Sequence, residues 1–279
     1  MSKHILLVEC TRDAIQGMHK FIPTERKIRY INELIKSAYF EYIDFGSFVS
    51  PKAVPQMQDT AAVLEGIEKV NETKLLAIIA NERGAITAAQ YGKLDFVGYP
   101  FSISETFQQR NANSTIAESL ERVKKIKEIL APTRIELVIY ISMAFGNPYG
   151  DTWNEELVLQ WIETLHALDI NRFSIADTTA EATPLAISSL YRKITVQFPN
   201  LELSIHLHSP PQNAREKIDA AWKAGCTRFE GALAGYGGCP FAKDELVGNI
   251  PTELLLEKFG IGTTALTNRL KADFQQMIG

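Results

Sequence analysis

The chain has 279 residues, a formal net charge of −4 and 46% hydrophobic residues. That length suits one large α/β domain or two small ones, and the apolar content is ample for a core. The acidic balance argues against a nucleic-acid or anionic-membrane surface, while small acidic substrates remain open because local clusters matter more than the total.

No apolar run approaches the roughly 18 to 20 residues of a membrane helix. The start, Met1-Ser-Lys-His-Ile-Leu-Leu-Val, runs straight into a strand pattern without a leader. Cys10, Cys226 and Cys239 are too few and too widely spaced for a disulfide framework. A cytoplasmic protein is expected.

Ile5 to Val8 reads as a strand with a polar end, Glu9 to Asp13. A helix follows from Pro23-Thr24-Glu25 to about Ser37, with apolar positions at Ile28, Ile31, Leu34 and Ile35. Tyr42 to Phe45 is the next strand, and Val54 to Val70 the next helix, with Pro55 in its first turn. Lys74 to Ala80 is a strand, Gly84 to Tyr91 a helix and Leu94 to Gly98 a strand. Ser114-Thr115 caps a helix to Ala131. Strand 134–142, helix 154–168, strand 172–176 and helix 182–198 continue the alternation. Leu203 to Leu207 is a strand, Pro211 to Ala224 a helix closed by Gly225, and Thr227 to Glu230 the last strand. A Gly-rich loop from Gly231 to Asn249 leads into helices 251–259 and 264–278.

Eight strand–helix units over this length match the size of a TIM barrel, with a doubly wound sheet as the alternative. Arg12, Asp13, Asp44, Ser47, Tyr140, Ser142, Asp177, His206 and His208 all fall at or just past strand ends. A barrel gathers those ends on one face, so a single (β/α)8 domain over residues 1–279 is expected, with its last helices packed on the barrel.

Ser204-Ile-His206-Leu-His208-Ser209 is the sharpest local signal. Strand side chains alternate faces, so His206 and His208 project together, about 7 Å apart along the strand. The pair reads either as hydrogen-bonded histidines or as half of a metal site. Asp13 follows strand one, and Asn249 lies in the loop after strand eight, next to strand one in a closed barrel. Asp13, His206, His208 and Asn249 thus offer two oxygens and two nitrogens. That mixed set suits Mg²⁺ or Mn²⁺, could also take Zn²⁺ or Co²⁺, and is not a closed structural zinc site. Taken alone, Arg12-Asp13 reads as a surface ion pair, and Cys239 as an inert thiol at a glycine turn.

Longer strings carry more. Ser47-Phe-Val-Ser-Pro-Lys52 with Val54-Pro-Gln-Met57 resembles a segment of the hydroxymethylglutaryl-CoA lyase family. Arg12-Asp13-Ala-Ile-Gln16, His206-Leu-His208, Ala234-Gly-Tyr-Gly-Gly-Cys-Pro240 and Gly248-Asn249 are similar to its remaining motifs, in order along the chain. The resemblance implies a retro-Claisen cleavage of 3-hydroxy-3-methylglutaryl-CoA or a related acyl-CoA. It places the metal on Asp13, His206, His208 and Asn249. It also implies Arg12 as stabiliser of the thioester enolate, Cys239 as the acid that protonates it, and further catalytic roles for Asp44 and His206. Gln16, Ser47, Tyr140 and Asp177 are expected to contact substrate. Partners beyond the acyl-CoA are not implied, apart from a homo-oligomer.

The chain departs from the family in four places near the site. Asp44 stands where the family usually has Glu, Cys10-Thr11 stand where it has Gly-Pro before Arg-Asp, with Glu9 one residue closer, Ala14 replaces a glycine, and Ser209-Pro210 replaces Asp-Thr after the histidines. These changes put the exact acyl-CoA in question more than the reaction class. Two rivals stand beside this reading: a Claisen condensing enzyme or 4-hydroxy-2-oxo acid aldolase, and a non-catalytic metal-binding barrel.

Overall fold

The computed structural model describes residues 4–238 and 247–279. Eight parallel strands close into a barrel in sequence order: β1 (Leu6–Glu9), β2 (Tyr42–Ser47), β3 (Lys74–Ile78), β4 (Phe96–Ser102), β5 (Glu136–Ser142), β6 (Arg172–Asp177), β7 (Glu202–Leu207) and β8 (Arg228–Gly231). Closure is the pairing of β1 with β8, Leu6 to Arg228 through Glu9 to Gly231. The open, doubly wound alternative is thereby excluded.

The helices are α1 (Thr11–Ile15), α2 (Thr24–Ser37), α3 (Thr60–Gly66), α4 (Glu82–Ala88), α5 (Glu105–Ala112), α6 (Ile116–Leu130), α7 (Glu155–His166), α8 (Pro184–Gln197), α9 (Ala214–Lys223), α10 (Thr252–Phe259) and α11 (Thr264–Ile278). The long ones start where local chemistry allows. Thr115 and Glu118 form a reciprocal capping box at α6, and Asn154 and Thr183 accept backbone N–H groups at the starts of α7 and α8. Their apolar stripes, such as Tyr30, Ile31, Leu34 and Ile35 on α2, pack onto the outer face of the barrel. The interior is a second, smaller core of Val8, Cys10, Tyr42, Leu76, Phe96, Val138 and Tyr140.

Besides α1, read in the sequence as the polar end of strand one, and β4, which runs to Ser102 rather than Gly98, two stretches differ from the sequence expectation. The helix expected over 54–70 is a 3-10 turn at Pro55–Met57 followed by the short α3. The Thr60 hydroxyl explains the break, because it donates to Met57 O and accepts from Ser47 N, tying the helix start to the end of β2. The second is α5, read as loop in the sequence. Ser104 caps it, and Asp151 from a distant loop accepts from Ser104 Oγ and from Thr106 N and Oγ1.

Candidate metal centre and active-site cleft

At the C-terminal end of the barrel, register decides which side chains meet. Ala176, His206 and Glu230 lie side by side across β6, β7 and β8. Alternation then turns His206 inward, and His208, just past β7, follows on the same face. Their Nε2 atoms stand 3.2 Å apart.

Partners on the far side of each ring set the tautomers. His208 Nδ1 lies 3.1 Å from Thr178 O, a group that can only accept, so Nδ1 carries the hydrogen. His206 Nδ1 lies 3.0 Å from Glu230 Oε2 and donates to it. In their neutral forms, both rings therefore direct bare Nε2 lone pairs at one point.

Asp13 completes this cluster. One of its oxygens lies 3.7 Å from His208 Nε2, and the three ligating atoms lie within 4.8 Å of one another. Asn249 Nδ2 donates to Asp13 Oδ2 at 2.7 Å and to Tyr236 O at 2.8 Å. Its Oδ1 is buried with no hydrogen-bond partner among the described residues.

Converging lone pairs, a buried carboxylate and an orphaned carbonyl oxygen are what a cation needs and what a metal-free cluster would avoid. Two ligands of one ion with bonds of ~2.0–2.1 Å stand about 3.0–3.4 Å apart, which the imidazole nitrogens match. The donor set therefore fits a divalent metal.

The described residues just after β8 lie against this cluster without room to spare. Gly237, with φ +109°, places its Cα so that an added Cβ would lie 2.5 Å from Asn249 Nδ2 and 2.7 Å from Asp13 O. Only glycine fits there.

Arg12 stands beside the cluster, 8% exposed. Its Nε and Nη2 donate to Asp44, at 3.0 and 2.6 Å to Oδ2, and its Nη1 donates to Asp13 Oδ1 at 3.0 Å. Burial works against the Arg12 charge, but the two carboxylates more than offset it and raise its pKa. Burial pushes Asp44 up to about 6 despite the guanidinium, so at neutral pH it remains the counter-ion. Burial also opposes ionisation of Asp13, yet Arg12 and the histidines hold it well below the usual carboxylate range.

A cleft opens above these groups, lined on its polar side by Arg12, Asp13, Gln16, Ser47, Ser142 and Thr178 with the two histidines. Tyr140 stands on the cleft wall, edge-on to His206 at 6.0 Å between ring centroids, and its hydroxyl has no partner among the described residues.

Most of the expected residues come together here; Asn249 backs Asp13 without lining the cleft, and Asp177 and Asp44 do not face it. Asp177 is the last residue of β6 and, by alternation, points outward while Ala176 points in. It accepts from Lys217 Nζ at 2.8 Å and from Ala182 N. Its expected contact with substrate is corrected to a buried ion pair beneath the loop. Asp44 is fully buried behind Arg12 and does not line the cleft, so it acts on the guanidinium rather than on substrate. The expectation for Cys239 lies outside the described residues.

The sequence reading missed Glu230 and Lys217. Glu230 accepts from Ser174 Oγ, Ser204 Oγ and His206 Nδ1, and these bonds, led by His206, hold its pKa down against burial. Lys217 donates to His208 O at 2.9 Å as well as to Asp177. The available signal was a strand alternation that sets Glu230 on the inward face.

Comparison with known proteins gives the chain its family. A family model described as HMGL-like matches residues 5–276. The chain is 30% identical to the hydroxymethylglutaryl-CoA lyase YngG of Bacillus subtilis, across 93% of this chain and 87% of that one. It is 32% identical to the 3-hydroxy-3-isohexenylglutaryl-CoA/hydroxymethylglutaryl-CoA lyase of Pseudomonas aeruginosa, across 92% and 85%. An HMG-CoA lyase from Acinetobacter baumannii, solved in complex with coenzyme A and 3-methylmalate, superposes with a TM-score of 0.90 at 30% identity, covering 100% of this chain and 92% of that one. The match runs through every strand that supplies a side chain to the cluster, and the chain belongs to the HMGL-like family.

Proposed function

We propose that this protein is a divalent-metal-dependent carbon–carbon lyase that cleaves 3-hydroxy-3-methylglutaryl-CoA, or a close 3-hydroxyacyl-CoA, to acetyl-CoA and a keto acid. The observation that carries the reading is the placement of Arg12 and the Asp13–His206–His208 cluster at one end of one cleft. In this reaction the tertiary hydroxyl loses its proton and becomes a ketone. The C2–C3 electron pair moves into the thioester as an enolate, which takes a proton at C2.

Asp13, His206, His208 and the Asn249 carbonyl oxygen are the groups that would hold the cation, with Mg²⁺ or Mn²⁺ favoured by the two oxygens. A bound divalent ion supplies Lewis acidity to oxygens of the substrate. Arg12 answers the enolate charge. A guanidinium has five N–H bonds, and those not given to Asp44 and Asp13 are left for a developing oxyanion. Asp44 and Asp13 fix the plane of that fork before substrate arrives, so little reorganisation accompanies the reaction. Gln16 holds Asp13 from the cleft side at 2.8 Å, and Ser47 and Tyr140 offer hydroxyls to the acyl group. Cys239 is retained as the proton donor to carbon on the strength of the motif it shares with the family.

The test is acetyl-CoA release by purified protein loaded with Mg²⁺ or Mn²⁺, across a panel of 3-hydroxyacyl-CoAs and 4-hydroxy-2-oxo acids. Release from a 3-hydroxy-3-methylglutaryl-type substrate is expected. Turnover of the oxo acids alone would move the protein to the aldolases, and metal binding without turnover of any panel member would leave a non-catalytic barrel.

A further inference from the structure

We propose that Glu230 is a positioning residue that keeps the two histidines from bonding to each other and so holds the metal centre open. The inference rests on the metal reading of His206 and His208. It starts from a difficulty in the geometry. With Nε2 atoms 3.2 Å apart, neutral histidines gain most by placing a hydrogen on one Nε2 and donating it to the other. That bond would fill the point at which a cation has to sit.

His208 cannot supply the hydrogen while neutral, because its Nδ1–H is committed to Thr178 O. His206 could, by moving its hydrogen from Nδ1 to Nε2. What opposes the move is a buried carboxylate 3.0 Å from Nδ1, which would lose its donor.

Glu230 is built for that task. It is 2% exposed, and its Oε1 receives Ser174 Oγ of β6 at 2.6 Å and Ser204 Oγ of β7 at 2.5 Å. The Cys10 thiol also points at Oε2, at 3.8 Å. One oxygen is thus anchored by two serines, while the other is aimed at the imidazole. A carboxylate that receives this many hydrogens is kept ionised and cannot turn away, so His206 keeps its hydrogen on Nδ1 and its lone pair on Nε2. The arrangement joins β6, β7 and β8 below the cleft and meets it only through His206, since Glu230 itself is absent from the cleft lining.

Glu230→Met has similar bulk and no acceptor, whereas Glu230→Gln keeps a carbonyl oxygen that can still accept. Zinc affinity measured by titration calorimetry with Zn²⁺ alone is expected to fall about 10- to 100-fold in the methionine variant and by less in the glutamine variant. Nitrogen-15 NMR of the metal-free protein at alkaline pH, where the imidazoles are neutral, is expected to show the His206 hydrogen on Nδ1 in the native chain. In Glu230→Met it should move to Nε2.

A purely structural role would lower the melting temperature while leaving affinity and tautomer as they were, and that result overturns the proposal. Should Glu230→Met fail to fold, the pair Ser174→Ala/Ser204→Ala keeps the carboxylate but frees it to turn. A loss of about 3- to 10-fold is then expected, and unchanged affinity counts against the inference. Failure of the native protein to bind Zn²⁺ at all would instead overturn the metal reading itself.

Discussion

Arg12 and Tyr140 show how much of the chemistry turns on single side chains whose neighbours are already in place. Arg12→Lys keeps the charge but loses the planar fork that Asp44 and Asp13 grip from two sides. Steady-state kinetics of this variant should show kcat down by about 10²-fold or more with KM little changed, the pattern of an interaction made as charge develops. A near-normal kcat would remove Arg12 from the enolate. Tyr140 is a different case, because its hydroxyl is buried on the cleft wall with no hydrogen-bond partner among the described residues. A ligand atom in the cleft could satisfy such a group. Tyr140→Phe should raise KM about 10-fold, the worth of one hydrogen bond of ~1–1.5 kcal/mol, with no loss of melting temperature. An unchanged KM would make the ring a packing element only.

At the scale of elements, β1 carries a carboxylate on each side of its end. Asp13 and Arg12 follow it into the cleft, while Glu9 points outward beneath α10. Glu9 Oε1 accepts from Leu233 N at 2.8 Å and Oε2 pairs with Thr252 Oγ1 at 2.6 Å, which ties β1 to the loop after β8 and to the start of α10. Burial pushes its pKa up from 4.5 to about 8, with Glu253 adding to the rise and the bonds to Thr252 and Leu233 opposing it. The native state therefore holds a proton that the unfolded chain releases above its ordinary carboxylate pKa. That contribution is fully present below pH 4.5 and is lost as pH rises towards 8. Melting temperature should fall between pH 5 and 8 more steeply in the native protein than in Glu9→Gln, whose amide imitates the protonated acid. Parallel curves would show that Glu9 titrates as an ordinary surface carboxylate.

The elements also show what could be read in advance. The parity that brings His206 and His208 together is local, since two residues of strand fix it, and so it was legible in the sequence. So were the barrel and the start of α6, whose capping box lies within four consecutive residues. Asp177 was misread for want of one residue of strand: with β6 ending at Ala176 its side chain was unassigned, and with β6 ending at Asp177 it must face Lys217. The helix α5 was invisible because Asp151, which holds its first turn, lies 46 residues beyond Glu105 in number. Glu230 was passed over because a glutamate ending a strand has no meaning until β7 and β6 supply its partners.

The molecule as a whole separates stability from chemistry along the barrel axis. At the N-terminal end, Arg172 bridges Glu136 and Glu202, and Arg228 bridges Glu202 and Glu41, so one chain of charges runs across the starts of β5 to β8 and on to that of β2. Arg172 also lies over the Phe96 ring at 4.7 Å. At the C-terminal end Arg12 pairs with Asp13 and Asp44, while Asp13 and His208 come from segments 195 residues apart in number, and Asn249 bonds back to Asp13. That end is joined by a cluster whose lone pairs need a cation, so metal binding should add to the stability of the fold. A ligand at 100 times its Kd stabilises by about 2.7 kcal/mol, which for a chain of this size is a rise of a few degrees in melting temperature. Calorimetric melting with saturating Mn²⁺ and with chelator should differ by about that much. The difference should vanish in His206→Ala, which removes a proposed ligand without touching the charges at the far end. A metal-induced rise of equal size in His206→Ala would place the stabilising ion elsewhere on the molecule and break the link drawn between this cluster and the fold.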